Sequence, residues 1–334
     1  MPILVLIVNR LLWFVPTVLG LIVLTFLISH VIPADPVAFV AGENATPEQI
    51  ERLRQELGLD QPMHVQLWRY VSDMVQGDMG ESLLTFRPIS QDLALRLPAT
   101  LELTFATVLV SIVVGIPLGV IAATHRNSLL DHVLRVVTVS GLAMASFWLA
   151  ILLQLLFSMA LEWTPLTGRA EGWGPEPHTG FFLIDSIIER DWESLGSSLQ
   201  HMILPVATLA FPATATIVRF TRAGVLNAIH SNYVAYETAM GLPRAVIIWK
   251  YVLRNALIGT VTQIGLIFGI LLAGAVVVEA VFDWPGLGLY AVQSILQSDY
   301  NAIMGFTVVI GVVFIIVNLL VDILQAMIDP RETR

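Results

Sequence analysis

Side chains able to do covalent or metal chemistry are scarce in this chain and wrongly spaced for it. There is no cysteine, which removes disulfides, thiolate metal sites, iron–sulfur clusters, covalent haem attachment and cysteine nucleophiles together. The one lysine, Lys250, follows Trp249 and cannot complete the G-x-x-x-x-G-K-[ST] loop that cradles a nucleotide's phosphates. Any ATP chemistry must therefore come from a partner. His201 has no second histidine three or four residues away, the spacing that places two ligands on one helix face, and no H-E-x-x-H occurs. It reads as a packing residue, and no metal, nickel included, is expected on this chain. What remains are single carboxylates at the ends of apolar runs, Glu102, Glu279 and Asp322, and a basic segment holding Glu237, Ala239, Gly241 and Arg244.

The elements that must position these residues are membrane helices. Of 334 residues 56% are hydrophobic and 13% charged, with a mean hydropathy of +0.78, outside the balance of a soluble chain. A helix needs about 20 apolar residues to cross ~30 Å of hydrocarbon, because every backbone N–H and C=O must be satisfied internally there. Six uncharged runs reach that length: Leu11–Val31, Leu103–Thr124, Val136–Leu161, Ser194–Val218, Asn255–Val278 and Asn301–Val321. The first is too long for the apolar region of a signal peptide and is kept as a spanning helix. Gly115, Gly119, Gly265, Gly269 and Gly274 suit close helix contacts, and Pro117, Pro205 and Pro212 suit kinks.

Positive charge orients the bundle, since Lys and Arg of short loops stay on the cytoplasmic side. Segments 1–10, 125–135, 219–254 and 322–334 carry 10 Lys/Arg against 5 Asp/Glu, whereas 32–102, 162–193 and 279–301 carry 7 against 21. Both termini are expected in the cytoplasm. The net charge of −9 is then a property of the outer loops and says nothing of nucleic acid. Single ionisable groups at the span ends, Glu279, Asp322 and Glu102, read as interfacial carboxylates reached by water, Glu102 with help from a helix N-terminus.

The outer segment after the first span is expected to be helical. Thr46-Pro47-Glu48-Gln49 is a capping signal, with Gly58 as the stop. Gln61–Gln76 reads as a second helix with Val65, Trp68, Val71 and Val75 on one face, to lie on the membrane interface or, the preferred reading, to pack on the bundle, and Ser90–Leu97 as a third, ended by Pro98. The second outer loop, with Trp173, Pro175, Pro177 and Gly180, reads as mostly irregular.

Among the inner segments only 219–254 is long enough to fold into a working element. A helical pattern from Asn232 to Met240 stops at Gly241 and Pro243, after which a second helix runs into the fifth span. The product is a helix–turn–helix beneath the membrane, held by two spans and shaped to dock in a groove of a soluble protein. On spacing alone, a connector whose five basic residues meet anionic lipid headgroups is the plainer reading.

Glu237-x-Ala239-x-Gly241, with Asn232-Tyr233-Val234 before it and Leu253-Arg254-Asn255-Ala256-Leu257 after it, resembles the cytoplasmic EAA loop of permease subunits in binding-protein-dependent ABC importers of the dipeptide/oligopeptide/nickel class. Phe14-Val15-Pro16-Thr17, Ile32-Pro33-Ala34-Asp35-Pro36, Gly77-Asp78-Met79-Gly80, Arg96-Leu97-Pro98, Gly115-Ile116-Pro117, His201-Met202-Ile203-Leu204-Pro205, Glu279-Ala280-Val281-Phe282-Asp283-Trp284-Pro285-Gly286 and Asp329-Pro330-Arg331 look like that family too, in family order. The chain departs from the pattern at Ala235–Met240, where two positive charges of the usual basic stretch are missing and Glu237 stands.

The resemblance implies an all-α integral membrane protein with six transmembrane helices of the ABC type I importer permease fold, in the bacterial inner membrane. Residues 1–102 would form the first helix and a periplasmic helical segment, and 103–334 a five-helix core with the coupling loop 219–254. It implies Tyr233, Glu237, Ala239, Gly241, Leu242 and Arg244 as ATPase-coupling residues. It also implies a homologous second permease, two ATPase subunits that carry the ATP and Mg, and a periplasmic or lipid-anchored substrate-binding protein. No cofactor is expected on this chain, and its contacts besides these are with membrane lipid. The path for peptides or similar small polar solutes is expected among spans two to five, with no residue assigned to it. An ion-coupled transporter acting alone would need a charged relay at depth, yet all six runs lack Asp, Glu, Lys and Arg. An intramembrane enzyme would need a nucleophile or metal constellation, and no such motif is present.

Overall fold

The computed structural model of the chain describes residues 3–31, 46–56 and 60–328. The Ile32–Pro36 motif, Gly58 and the Asp329-Pro330-Arg331 motif lie outside the described residues. Helix α1 (Ile3–Val31) is followed by α2 (Pro47–Glu56) and α3 (Met63–Val75), and α4 (Ile89–Thr124) is the second span. Next come α5 (Leu129–Ala143), α6 (Ser146–Leu153) and a π-helical stretch, Gln154–Ala160. The loop expected on the outer side holds α7 (Phe182–Glu189), and α8 (Trp192–Ala228) runs back across the bundle. Then α9 (Asn232–Ala239), α10 (Arg244–Val246) and a second π-helical stretch, Ile247–Val252, lead into α11 (Leu253–Phe282). Helices α12 (Leu287–Leu296) and α13 (Tyr300–Ile328) follow. Among the described residues there is no strand, only a single antiparallel bridge between Glu81 and Pro88.

Four continuous helices are long and apolar enough to cross a bilayer, within 89–124, 192–228, 244–272 and 300–323. The expected third span is instead a broken pair, α5 and α6, bent by 106° where Met144 and Ala145 take extended backbone. Apolar limbs on both sides of a bend leave no trace in hydropathy, so periodicity could not find it. The fifth span likewise ends in a bend of 81° before α12.

The core is α4 laid along α8, with α11 across both and α1 with α13 at the side. Gly115 and Gly119 of α4 face Ile217 and Thr221 of α8, where a Cβ on Gly119 would come within 2.6 Å of the Thr221 Cβ. A side chain there would force apart two helices whose backbones now almost touch. Gly265 and Gly269 of α11 sit in the same way against Val321 and Phe314 of α13, whereas Gly274 faces open space and packs on nothing. Leu103, Leu204, Leu209, Phe268, Leu272 and Trp284 fill the central apolar cluster.

Three expectations for the outer side are corrected. The helix expected at Ser90–Leu97 does not stop at Pro98 but is the first part of α4. Ile89 and Leu93 are buried against Leu287, Tyr290 and Ala302, and this tertiary burial outweighs the one backbone hydrogen bond that Pro98 removes. Helix α3 packs on Ile22 and Val308 through Tyr70, Val71 and Met74, while Trp68 and Val75 point away, 75% and 72% exposed. The second outer loop is also more ordered than expected, because it contains α7. The capping box at Thr46 is formed: its N–H donates to Gln49 Oε1 at 2.9 Å, and the Gln49 N–H to Thr46 Oγ1 at 3.4 Å.

Candidate functional site: a short loop helix and buried carboxylates

Helix α9 is short, and its ends are fixed by its own sequence. Gly241 has φ +78°, its N–H donates to Thr238 O at 3.0 Å and the Leu242 N–H to Glu237 O at 3.3 Å. That left-handed closure is open to glycine at little cost. One face of the helix turns inward, where Val234 is buried beside Tyr233 and Leu242 against Val120, Val225, Ile247 and Val252. This small cluster joins α4, α8 and the π-helical stretch that opens α11, and α9 packs chiefly on that π-helical stretch. Gly224 of α8 lies so near Ala256 of α11 that a Cβ would stand 2.5 Å from its carbonyl oxygen.

The opposite face is open. Of the residues expected here, Ala239, Gly241 and Arg244 are exposed together, Glu237 is half-buried, and Tyr233 and Leu242 point inward as anchors. Among the described residues Glu237 makes no ion pair. Sequence reasoning missed Tyr236 and Met240, which are 63% and 66% exposed and give this face its apolar area. Their helical spacing, i and i+4, was the available signal.

Beside α9, α8 carries a charged junction that sequence reasoning also passed over. Asp131, on the first turn of α5, is fully buried. Its Oδ1 accepts Arg222 Nε at 2.8 Å, and its Oδ2 accepts Arg222 Nη2 and Arg135 Nη2, each at 3.0 Å, and the Asn127 N–H at 3.1 Å. Ser128 caps the helix by accepting the Asp131 N–H at 3.3 Å. The S-x-x-D spacing of a capping box was legible in the sequence.

At the outer end the carboxylates expected to meet water are instead enclosed. Glu279 is completely buried: Oε1 accepts Thr100 Oγ1 at 2.7 Å, and Oε2 accepts the N–H groups of Gly288 at 2.6 Å and Leu289 at 3.2 Å. The carboxyl group of Glu279 thus sits on the N-terminus of α12, where backbone N–H groups converge. Glu102 lies well inside α4, not at a helix N-terminus. It binds the buried Arg169 at Nε (3.0 Å) and also Nη2, and accepts the Leu183 N–H at 2.8 Å. Arg169 stacks 3.9 Å above the Phe182 ring. Asp299, also buried, takes Ser82 Oγ and the Leu83 N–H at 2.7 Å each. In each case the sequence hid partners brought to the carboxylate by another part of the fold.

Asp185 gathers the N–H groups of His178, Thr179 and Gly180. Burial pushes its pKa up, but these bonds and the Thr179 hydroxyl together hold it below the usual carboxylate value. His201 is a packing residue, with Nδ1 2.8 Å from Ser197 O. Asp322, partly exposed, lines a groove of about 540 Å³ with Trp13, Thr17 and Asn318.

Residues 115–334 match the family described as "Binding-protein-dependent transport system inner membrane component", and residues 3–104 match the N-terminal part of such membrane components. The chain is 44% identical over 319 residues to the "Probable D,D-dipeptide transport system permease protein DdpB" of Escherichia coli strain K12, covering 95% of this chain and 94% of that protein. It is 37% identical to the dipeptide transport system permease protein DppB of Alkalihalophilus pseudofirmus, with 97% of each chain covered. It is 38% identical to the glutathione transport system permease protein GsiC of Escherichia coli O6:H1, again over 97% of each.

Proposed function

The chain belongs to the family of binding-protein-dependent transport system inner membrane components, and from that premise we propose that it forms one half of a translocation path for peptides or similar small polar solutes, driven through α9. It is a permease subunit of an ABC importer, an inner-membrane protein that works with a substrate-binding protein and ATPase partners. The permease is not itself an enzyme, and hydrolysis belongs to those partners. Membership in the family also sets aside the ion-coupled transporter acting alone.

In the proposed assembly a homologous second permease completes the path, and two ATPase subunits hold the ATP and Mg. This chain binds no cofactor, and both its termini face the cytoplasm. The substrate-binding protein, periplasmic or lipid-anchored, docks on the acidic outer side. Cargo of the peptide class is supported by relatives named for D,D-dipeptide, dipeptide and glutathione transport.

The observation that carries the coupling role is the seating of α9. One face is buried in a cluster shared by α4, α8 and α11, while Tyr236, Ala239, Met240, Gly241 and Arg244 lie open. A partner that grips the open face therefore pushes on the π-helical start of α11 and, through the shared cluster, on α4 and α8. ATP binding draws the ATPases together and tips the bundle toward its outward-open state, and hydrolysis returns it, as a shift between two populations. The test is a Met240→Cys variant in this cysteine-free chain, assembled with its partners and treated with a heterobifunctional reagent that joins its thiol to a nearby lysine amine. A cross-link to an ATPase subunit that changes with nucleotide is expected. A complex that transports normally while Met240→Cys stays reactive and uncross-linked in every nucleotide state would overturn the assignment.

A further inference from the structure

Helices α5 and α8 run in opposite directions and touch at two levels. Deeper in the bundle Gly141 of α5 lies against Phe211 and Ala215 of α8, near enough that a Cβ would stand 3.3 Å from the Phe211 ring. Ten residues nearer the inner side, about 15 Å along a helix at 1.5 Å per residue, Asp131 of α5 grips Arg222 of α8 through both carboxylate oxygens. An apolar contact alone lets two helices slide or roll. A second, directional attachment some distance away removes that freedom.

The ion pair is built to hold. Asp131 has no exposed surface, and both of its oxygens are satisfied, by Arg222, Arg135 and the Asn127 N–H. Paired N–H···O bonds from one guanidinium fix direction as well as distance. Arg222 stands six residues before the end of α8, and only Ile229, His230 and Ser231 separate that end from α9. Movement of α9 therefore enters α8 immediately beside Arg222.

From this geometry we propose that Asp131 is a positioning residue for energy coupling: its grip on Arg222 makes α5, and with it the bent third crossing, travel with α8 when α9 is moved. The ATPase thereby drives a fourth element, α5, that the cluster under α9 does not contain. This inference rests on the reading of α9 as the docking helix.

The test uses the whole importer in proteoliposomes, with the binding protein and the peptide its own assay employs, and reads substrate taken up per ATP hydrolysed together with the Met240→Cys cross-link. In Asp131→Asn the cross-link persists while uptake per ATP falls about tenfold, the scale of a typical coupling energy between sites. Asp131→Glu, which keeps the charge, recovers most of the ratio. Residues with a merely structural role would change the amount of assembled complex and leave the ratio alone. An unchanged ratio in Asp131→Asn with the cross-link intact overturns the positioning role and leaves the docking reading standing, as does a glutamate variant no better than the asparagine one. Failure of the cross-link in the otherwise unsubstituted chain removes the docking reading itself. Should Asp131→Asn fail to assemble, Arg222→Lys keeps the positive charge but loses the paired bonds, and the same two outcomes decide.

Discussion

Thr100 Oγ1 donates to Glu279 Oε1 at 2.7 Å and accepts the Leu287 N–H at 2.8 Å, so one hydroxyl joins the second span to both limbs of the 81° bend. Trp284, in the turn between those limbs, donates from Nε1 to Ala99 O at 3.0 Å, beside Thr100. The bend is thus a fastened corner, with its carboxyl group inside and no exposed surface on Glu279, Trp284 or Leu287. Gly286 and Gly288 stand so near this carboxylate that a Cβ on Gly286 would lie 2.4 Å from Glu279 Oε2.

Removing the carboxylate should loosen that corner. Glu279→Ala leaves two N–H groups and a hydroxyl unpaired, at about 1–3 kcal/mol for each group that water cannot reach. Thr100→Val leaves two groups unpaired, Glu279 Oε1 and the Leu287 N–H, against three in Glu279→Ala, and is expected to cost correspondingly less. Detergent-denaturation midpoints of the purified importer should fall in the order Glu279→Ala below Thr100→Val below the unsubstituted chain. Equal midpoints for all three would mean that α12 is held by apolar packing alone.

Gly241 makes a different demand. Nothing lies within 4 Å of a Cβ built there, so a side chain has room and only the φ of +78° resists it. Gly241→Val should impose about 1–3 kcal/mol of local strain, whereas Gly241→Asn, whose side chain tolerates the left-handed region, should impose far less. ATPase stimulation by loaded binding protein is expected to drop in the valine variant and to survive in the asparagine one, with membrane insertion equal in both. Normal stimulation in Gly241→Val would dissociate the turn from coupling.

Much of this architecture was legible, and what escaped has a common physical cause. Thr46 and Gln49 announced their capping box, Gly241 its helix end, and Gly115, Gly119, Gly265 and Gly269 their close helix contacts, because each signal is local. Glu279, Glu102 and Asp299 were misjudged or passed over because their environment is supplied from far along the chain: Thr100 lies 179 residues from Glu279, Arg169 67 from Glu102 and Ser82 217 from Asp299. The Asp131–Arg222 pair, 91 residues apart, was hidden in the same way even though the cap at Ser128 was in view. For α9 the residue types gave its place, but which side chains anchor and which project depends on the cluster beneath.

The expected membrane orientation yields a labelling pattern. Trp173, fully exposed in the second outer loop, and Met240, on the open face of α9, should lie on opposite sides of the bilayer. In intact cells permeabilised only at the outer membrane, Trp173→Cys should react with an impermeant thiol reagent. Met240→Cys should react only after the inner membrane is opened. The reverse pattern would invert the topology and place the acidic loops in the cytoplasm.

The outer loop also carries a pH response with a defined sign. His178 contacts Glu189 through Nε2, with Asp185 and Glu176 nearby, and this acidic setting raises the imidazole above its ordinary 6.5, the Glu189 contact contributing most. A group whose folded pKa is raised stabilises fully below its unfolded value and loses that contribution as pH rises through the folded one. Proteolysis of the segment between Trp173 and Arg190 should therefore quicken as pH rises past that raised value. In His178→Gln the rate should lack this step, and a step retained in that variant would assign the response to another group.

The last expectation concerns the partner across the path. A chain with one docking helix offers a single grip, whereas two ATPases that close on each other offer two, so a second permease is required to use both and to enclose a pathway. A second copy of this chain would satisfy the same requirement, and the family resemblance points instead to a distinct homologue. Tagged chain isolated from its native membrane should carry with it another permease with its own EAA-like loop, together with ATPase subunits. Mass spectrometry of the intact complex then decides: unequal permease masses support the heteromer. A complex containing only copies of this permease and the ATPases would refute the heteromer while leaving the importer assignment untouched.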